Sequence, residues 1–382
     1  MITKRKKIAY ISGTRADFGL MTPVLKAIEQ SGKLSLQLYV TGMHLMPEFG
    51  ETKKLVQKEF SGTKTITAIF EDDSRASLAR FCASLLPKIT QSFEKDRPDF
   101  VLLFGDRPEM LCVAVACLYL GIPTGHFQGG EISATVDGIT RHALTKLSSL
   151  HFPATKKSAA FIEKMGEEKW RIIRTGAPAL DDILGAELPS RKELLNELGI
   201  TSLSTPFILF VQHPYFEGGE RVEKQIAESL AAIKLSKLPI VAIYPNADPG
   251  GRKIIKILER ERDNPKFHVF RNVTHAQFLA LEREAGVMVG NSSSGLIEAI
   301  AWRTPVVNVG RRQFDRERGK NVIDAPVSRK EIARAIKKAL YDKRFLAKLR
   351  RAENPWGNGG VGKRVVSVLE HLRIDERLLI KK

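Results

Sequence analysis

Cysteine is scarce. Cys82, Cys112 and Cys117 are the three in 382 residues, too few and too odd in number for a disulfide framework, and no CxxC or Cys/His spacing suggests a metal site. That usage predicts a reducing, cytoplasmic setting. Long hydrophobic runs are also lacking: the longest, Met110–Leu120, falls far below the roughly 20 residues a membrane-spanning helix needs. The basic start, Met1–Lys7, runs into only a brief apolar stretch, Ile8–Gly13, unlike a signal peptide. Acidic residues are in deficit, 43 Asp plus Glu against 61 Lys plus Arg, a net charge of +18. An excess of that size predicts an anionic partner: nucleic acid, an anionic membrane surface or a phosphorylated small molecule. RRM, helix-turn-helix and zinc-finger signatures are absent, as is a basic stripe interleaved with aromatics, so neither nucleic acid nor membrane is the expected partner. The Lys4–Lys7 run and Lys381-Lys382 read as solvated surface.

What is present is an ordinary globular composition, 43% apolar and 27% charged, long enough for two or three domains. Short β-branched runs alternate with helical stretches: Lys7–Ser12, Leu36–Thr41, Thr65–Phe70, Phe100–Phe104, Pro123–Phe127 and Leu150–Pro153, then Phe207–Gln212, Pro239–Tyr244, His268–Phe270, Val287–Gly290 and Pro305–Val309. This predicts an α/β fold of βαβ units on two parallel sheets rather than one sheet of eleven strands. The TGAP turn near Thr175–Pro178 precedes a polar, weakly periodic stretch, placing domain one at 1–178 and domain two at 179–358. A last amphipathic helix from Val361 to about Leu372, led in by NPWGNGG at 354–360, is expected to cross back from 359–382 to the first domain. Two doubly wound domains facing each other would put the carboxyl ends of both sheets around one cleft, so the informative loops should follow strands.

Gly290-Asn291-Ser292-Ser293-Ser294-Gly295, followed by a helix at Leu296–Ala301, offers backbone N–H groups and hydroxyls suited to a diphosphate. An ordinary N-cap with a glycine turn explains the same residues. Glu298 is four residues beyond Ser294, outside capping-box register, and could accept two ribose hydroxyls. The first strand ends in Gly13-Thr14-Arg15-Ala16-Asp17; Arg15 suits a phosphate, or is a surface arginine beside an N-capping Asp17. Neither a Walker loop nor a GxGxxG fingerprint is present. The fourth strand delivers Asp106 and Arg107, the fifth Gln128 and Glu131, and Asp137, Arg141 and His142 follow at a helix start. Singly these are turn, cap and i+4 residues; together, at consecutive strand ends, three carboxylates predict acid/base chemistry. His213, ending the first strand of the second series, could bind phosphate or move a proton. Arg311, Arg312, Arg316 and Arg318 would supply cations for a diphosphate, or form a mixed-charge solvated loop.

In order, GTRADFG at 13–19, TGMHLMPEFG at 41–50, GDRPEM at 105–110, HFQGGE at 126–131, DGITRHALTKLS at 137–148, GNSSSGLIE at 290–298 and the later RRQ and NVID resemble the UDP-N-acetylglucosamine 2-epimerase family. The likeness is to its hydrolysing branch from sialic acid and legionaminic acid synthesis, across nearly the whole chain. The resemblance implies a glycosyltransferase-B-like fold of two Rossmann-like domains, no metal, no nicotinamide and no other cofactor, a UDP-linked nucleotide sugar as substrate, and a homo-oligomer, dimer or tetramer. It implies loss of the sugar C2 proton with elimination of the nucleoside diphosphate, then hydration of the glycal to the free 2-epimer, N-acetylmannosamine in the sialic acid pathway. Asp106 and Asp137 match acid/base carboxylates and His213 the active-site histidine. Ser292, Ser293 and Arg312 match diphosphate contacts, joined by Arg15; Glu298 matches the ribose ligand, and Asn246 and Val273 positions near the nucleotide. Gln128 stands where the family has a catalytic Glu and cannot act as a base; Glu131 would take that role, or Gln128 marks a different sugar. The branch also includes enzymes acting on UDP- or GDP-linked 2,4-diacetamido-2,4,6-trideoxyhexoses. A glycosyltransferase of the same fold is the enzyme rival, and a basic nucleic-acid-binding protein the rival from another class.

Overall fold

The computed structural model describes residues 5–381 apart from 73, 133–135, 186–187, 216–220 and 247. Two compact units emerge. The first runs to Glu131, resumes at Val136 through Leu184, and takes in the chain from Trp356 onward; the second is Gly185–Pro355.

The first unit carries β1 (Lys6–Ser12), α1 (Arg15–Gln30), β2 (Leu34–Val40), α2 (Lys53–Glu59), β3 (Lys64–Thr65), α3 (Arg75–Lys95), β4 (Phe100–Phe104), α4 (Pro108–Leu120), β5 (Thr124–Phe127), α5 (Val136–Leu147), β6 (Leu150–Phe152), α6 (Lys156–Lys164) and α7 (Ala179–Gly185). Its sheet is parallel throughout in the order β3-β2-β1-β4-β5-β6, the strand order of a dinucleotide-binding fold. The central strands are continuous apolar runs because helices cover both faces; β4, FVLLF, is buried at every residue. Of the expected third strand, Thr65–Phe70, only Thr65 is in β3, paired with β2 together with the preceding Lys64. Beyond it the backbone folds onto α3, where Phe70 stacks on Phe81 at 4.1 Å.

The second unit repeats the plan with α8 (Arg191–Glu197), β7 (Ile208–Val211), α9 (Val222–Leu235), β8 (Ile240–Ile243), α10 (Gly251–Glu259), β9 (Phe267–Phe270), α11 (His275–Glu284), β10 (Val287–Gly290), α12 (Ser294–Ile297), β11 (Val306–Val309), β12 (Val322–Ala325), α13 (Arg329–Tyr341) and α14 (Lys343–Arg350). The sheet order is β12-β11-β10-β7-β8-β9, again parallel. β12 has no counterpart in the expected strand series; its pattern is half-exposed, as suits an edge. Two apolar clusters flank this sheet, one built on α9, α10 and α13, the other on α8 and α11.

The C-terminal segment belongs to the first unit. Trp356 is wholly buried, and α15 (Val361–His371) packs on α1, where a Cβ on Gly362 would lie 3.0 Å from Ala27 Cβ. Asp181 accepts from Val361 N and Gly362 N at 2.8 and 2.7 Å, capping α15 from another element. α16 (Glu376–Leu379) follows, and buried Arg171 grips the carbonyls of Arg377, Leu378 and Ile380. The basic termini are not idle surface. Lys6 Nζ donates to Leu369 and Leu372 carbonyls at 2.6 and 2.7 Å, Lys7 pairs with Asp96 and Lys381 with buried Glu167; Lys4 and Lys382 lie outside the described residues. Among the described residues no helix is long and apolar enough to cross a membrane.

Candidate active site

Strand order in the first sheet reverses between β1 and β4, and the crevice outside the carboxyl ends at such a reversal is where open parallel sheets hold ligands. β4 leads into Asp106 and β5 into Glu131. Arg141, on the second turn of α5, is buried and reaches both: Nη2 donates to the Asp106 carboxylate and Nη1 to the Glu131 carbonyl at 2.9 Å. Burial alone would lower the pKa of this guanidinium. The negative fields of Asp106, Glu131 and Asp137 outweigh it, and the pKa is raised. Arg141 thus bonds the Asp106 carboxylate and the Glu131 backbone, and the charges of all three carboxylates expected from the sequence act on it. Asp106 keeps 23% of its side chain exposed, open to a ligand, while Glu131 is buried. Asp137 is inside the first turn of α5 rather than at an N-cap, and Arg141 bonds across to β4 rather than serving only as its i+4 partner.

Gln128 is buried with φ 58, a left-handed backbone that costs a non-glycine residue about 1 kcal/mol. Beneath it His126 Nε2 donates to the Gly105 carbonyl at 2.7 Å, joining the ends of β4 and β5; burial pushes that imidazole down to about 3. His142 lies tilted against Phe161, ring centroids 5.3 Å apart, its pKa lowered by burial and then by Arg141. Arg107 pairs with Glu109 at 3.3 Å.

The loop after β1 is densely hydrogen-bonded. Thr14, not Asp17, caps α1, and the two side chains close a capping box. The Asp17 carboxylate accepts from Gly13 N at 3.1 Å, Thr14 N at 2.8 Å, Tyr10 Oη at 3.0 Å and the Ser12 hydroxyl. Ser12 Oγ is 2.8 Å from His44 Nε2, and His44 Nδ1 is 2.8 Å from Thr52 Oγ1; burial pushes His44 down to about 4, so the ring is neutral at pH 7. A Cβ on Gly13 would sit 2.4 Å from Glu109 Oε1, so a larger residue there must push the Glu109 side chain aside. Held on this frame, Arg15 has its pKa lowered to about 10 by burial and stays charged, with Nη1 buried and lacking a hydrogen-bond partner among the described residues. An anion would satisfy it.

In the second sheet the order reverses between β7 and β10. Gly290 lets these strands close: its φ is 138°, and a Cβ would meet the Val211 carbonyl oxygen at 1.9 Å. Asn291 then bonds His213 twice, accepting from its backbone N at 2.7 Å and donating to its carbonyl at 2.9 Å. His213 Nδ1 accepts from Asn246 N at 3.2 Å, so a single ring proton resides on Nε2. Arg312 Nη1 donates to the Asn291 carbonyl at 3.2 Å, and its Nη2 lies 3.7 Å from Asp248. Ser292 and Ser294 hydroxyls are 2.9 Å apart. Ser293 is the N-cap but makes no side-chain capping bond, so capping does not account for the serines. α12 is a single turn, Ser294–Ile297, shorter and earlier than the expected Leu296–Ala301. Glu298 is buried, with His275 Nε2 3.7 Å from its Oε2. Two expected positions have packing roles: a Cβ on Gly295 would lie 2.9 Å from Val306 Cγ1, and Val273 is in the core, leaving its backbone for a ligand.

The sequence did not point to Glu109, His44 or Asn291. The first two are buried polar residues whose partners come from elements remote in sequence, Gly13 beside Glu109 and Ser12 and Thr52 beside His44. Asn291 stood in view within GNSSSG, but its bond to His213 depends on two strands far apart in the chain.

The family profile of UDP-N-acetylglucosamine 2-epimerases matches residues 26–370. The chain is 35% identical to a hydrolysing UDP-N,N'-diacetylbacillosamine 2-epimerase of Legionella pneumophila over 98% of each protein. It is 34% identical to a UDP-N-acetylglucosamine 2-epimerase of Neisseria meningitidis over 87% of each. Among solved structures, the Methanocaldococcus jannaschii UDP-GlcNAc 2-epimerase in complex with UDP-GlcNAc and UDP superposes with a TM-score of 0.77 at 20% identity, covering 95% of this chain and 99% of that one. The fold is therefore glycosyltransferase-B-like, built from two Rossmann-like domains. The chain belongs to the UDP-N-acetylglucosamine 2-epimerase family.

Proposed function

We propose that the protein is a hydrolysing nucleotide-sugar 2-epimerase that converts UDP-N-acetylglucosamine and water to N-acetylmannosamine and UDP. The observation that carries the reading is the gathering of Asp106, Glu131 and Asp137 around the buried Arg141. Carboxylates of this kind remove the C2 proton; the C1–O bond to the diphosphate breaks with its electron pair leaving on UDP, and a C1=C2 glycal forms. Water then adds its oxygen to C1 while a carboxylic acid returns a proton to C2 on the opposite face. Acid/base assistance of this type is worth about 10²- to 10⁴-fold per group. No electrons leave the substrate, so the reading calls for no redox cofactor.

The departing diphosphate needs fixed positive charge. Arg15, whose buried Nη1 has no partner among the described residues, and Arg312, anchored on Asn291, supply it. Ser292 and Ser293 hydroxyls add donors, His213 offers its Nε2 proton, and Glu298 takes the ribose hydroxyls near Asn246 and Val273. A glycosyltransferase would need the same cations but not three carboxylates around one arginine.

A second reading keeps the reaction and changes the sugar to a UDP- or GDP-linked 2,4-diacetamido-2,4,6-trideoxyhexose. Gln128 favours it: a buried amide held in a strained backbone hydrogen-bonds a substrate rather than taking its proton. The full-length likeness to a diacetylbacillosamine enzyme points the same way. Incubation with a panel of UDP- and GDP-linked amino sugars and no acceptor, with the freed sugar identified by NMR, decides. Release of UDP and a free 2-epimer from UDP-N-acetylglucosamine supports the first reading, preferential turnover of a diacetamido donor the second, and no turnover of any donor refutes both.

A further inference from the structure

The segment TGMHLMPEFG at 41–50 has no part in the reaction as described, yet it sends a side chain into the loop that bears Arg15. Gly42–Leu45 is a short 3₁₀ turn, and its backbone lies against that loop: Met43 N donates to the Gly13 carbonyl at 3.0 Å, and a Cβ on Gly42 would be 3.1 Å from the same oxygen. His44 in this turn is wholly buried, its ring edge-on to Phe18 with centroids 6.3 Å apart. Proton counting fixes what the imidazole does. The single Ser12 hydroxyl proton is directed at the Asp17 carboxylate and at the Thr14 carbonyl 3.1 Å away. Both of these accept, so the 2.8 Å bond between Ser12 Oγ and His44 Nε2 is donated by the ring. The other nitrogen, Nδ1, then accepts from Thr52 Oγ1 at 2.8 Å. Thr52 is the N-cap of α2 but makes no side-chain capping bond; its hydroxyl serves His44 instead. A directed chain results, from Thr52 through His44 and Ser12 to Asp17, and it meets the peptide group that joins Thr14 to Arg15. Arg15 is the first residue of α1, and its buried Nη1 has no partner among the described residues. Ser12, His44 and Thr52 are all buried. Apolar packing would fill such a space at less cost, and a buried polar chain is expected where it orients a side chain that meets a ligand.

We infer that His44 is a positioning residue for the leaving diphosphate: by donating to Ser12 and accepting from Thr52 it holds the Thr14–Arg15 peptide in place, and with it the root of the Arg15 side chain that meets the anion. This rests on the reading of Arg15 as a diphosphate contact.

The test is a double-mutant cycle in UDP affinity, measured by calorimetry on the full chain. Arg15→Gln should weaken UDP binding by about tenfold or more, and His44→Leu by about tenfold. The variant carrying both changes should bind within about twofold of Arg15→Gln alone, because His44 acts through Arg15; a residue that only supported the fold would add its own loss in full. His44→Gln, which puts back an N–H donor and a carbonyl acceptor, should recover most of the affinity. Should His44→Leu not fold, Thr52→Val, which removes the hydroxyl given to Nδ1, takes its place in the cycle. If Arg15→Gln weakens binding while the His44 or Thr52 variant does not, or if the two losses add in full, this inference is overturned and the reading of Arg15 stands. An Arg15→Gln variant that binds UDP as tightly as the wild type, or a wild type that does not bind UDP, overturns that reading and this inference with it.

Discussion

Arg141 sets the terms on which three acids share a small space. Its guanidinium fork touches the ends of two strands, and the negative charges of all three raise its own pKa. Arg141→Met should destabilise the fold by about 3–5 kcal/mol, because uncompensated buried charge is left behind; equilibrium denaturation measures this, and a loss under 1 kcal/mol would remove the residue from its central place. Asp106→Asn and Asp137→Asn keep size and hydrogen-bonding capacity but remove the titrating oxygen. Each should lower turnover at least about 100-fold while UDP binding, followed by calorimetry, persists; near-normal rates in both would strike them from the mechanism. Gly13→Ala tests the loop that carries Arg15. Its methyl group must displace Glu109, so activity should fall more than melting temperature does, and an unaffected rate would mean that the loop tolerates movement.

At the scale of elements, polar side chains at the ends of apolar strands were legible, and the reason is topological. A buried parallel strand such as Phe100–Phe104 is an unbroken apolar run, so the first polar residues after it stand out, and Asp106, Glu131, His213 and the serines became candidates in this way. Elements at the sheet edges were not: β3 shrank to Lys64–Thr65 and β12 at Val322–Ala325 went unforeseen, because half-exposed edge strands carry little periodic signal. Supporting residues inside helices, Glu109 among them, were equally invisible, since sequence does not reveal which charged residue of a helix faces inward. Among the elements α15 depends on a contact remote in sequence, the Asp181 carboxylate on its first N–H groups. Asp181→Ala should cost about 1–2 kcal/mol and raise amide exchange in Val361–His371 ahead of the sheets. Uniform exchange in the variant and wild type would show that Trp356 and the Arg171 grip hold the segment unaided.

For the whole molecule, buried histidines give stability a pH dependence of known sign. Burial holds His44 at about 4 and His126 at about 3, while in the unfolded chain both titrate near 6.5. Between these values the unfolded state binds more protons, so stability is complete above about pH 6.5 and falls as pH drops toward 4. Melting temperature should be flat from pH 7 to 8 and decline steadily below about 6; a level profile down to pH 4.5 would mean that these rings are open to solvent. Part of the net charge of +18 is carried by lysines that fasten the C-terminal segment, Lys6 on the Leu369 and Leu372 carbonyls and Lys381 on Glu167.

The central claim is that carboxylates of the first unit move a proton at C2 as the nucleoside diphosphate leaves. The direct measurement is turnover of UDP-N-acetylglucosamine and the diacetamido donors in deuterated water, with no acceptor sugar, and NMR of the product. Free 2-epimeric sugar bearing deuterium at C2, formed in step with UDP, is the predicted result. Sugar released with its original C2 hydrogen and configuration would contradict it, since simple hydrolysis would then suffice.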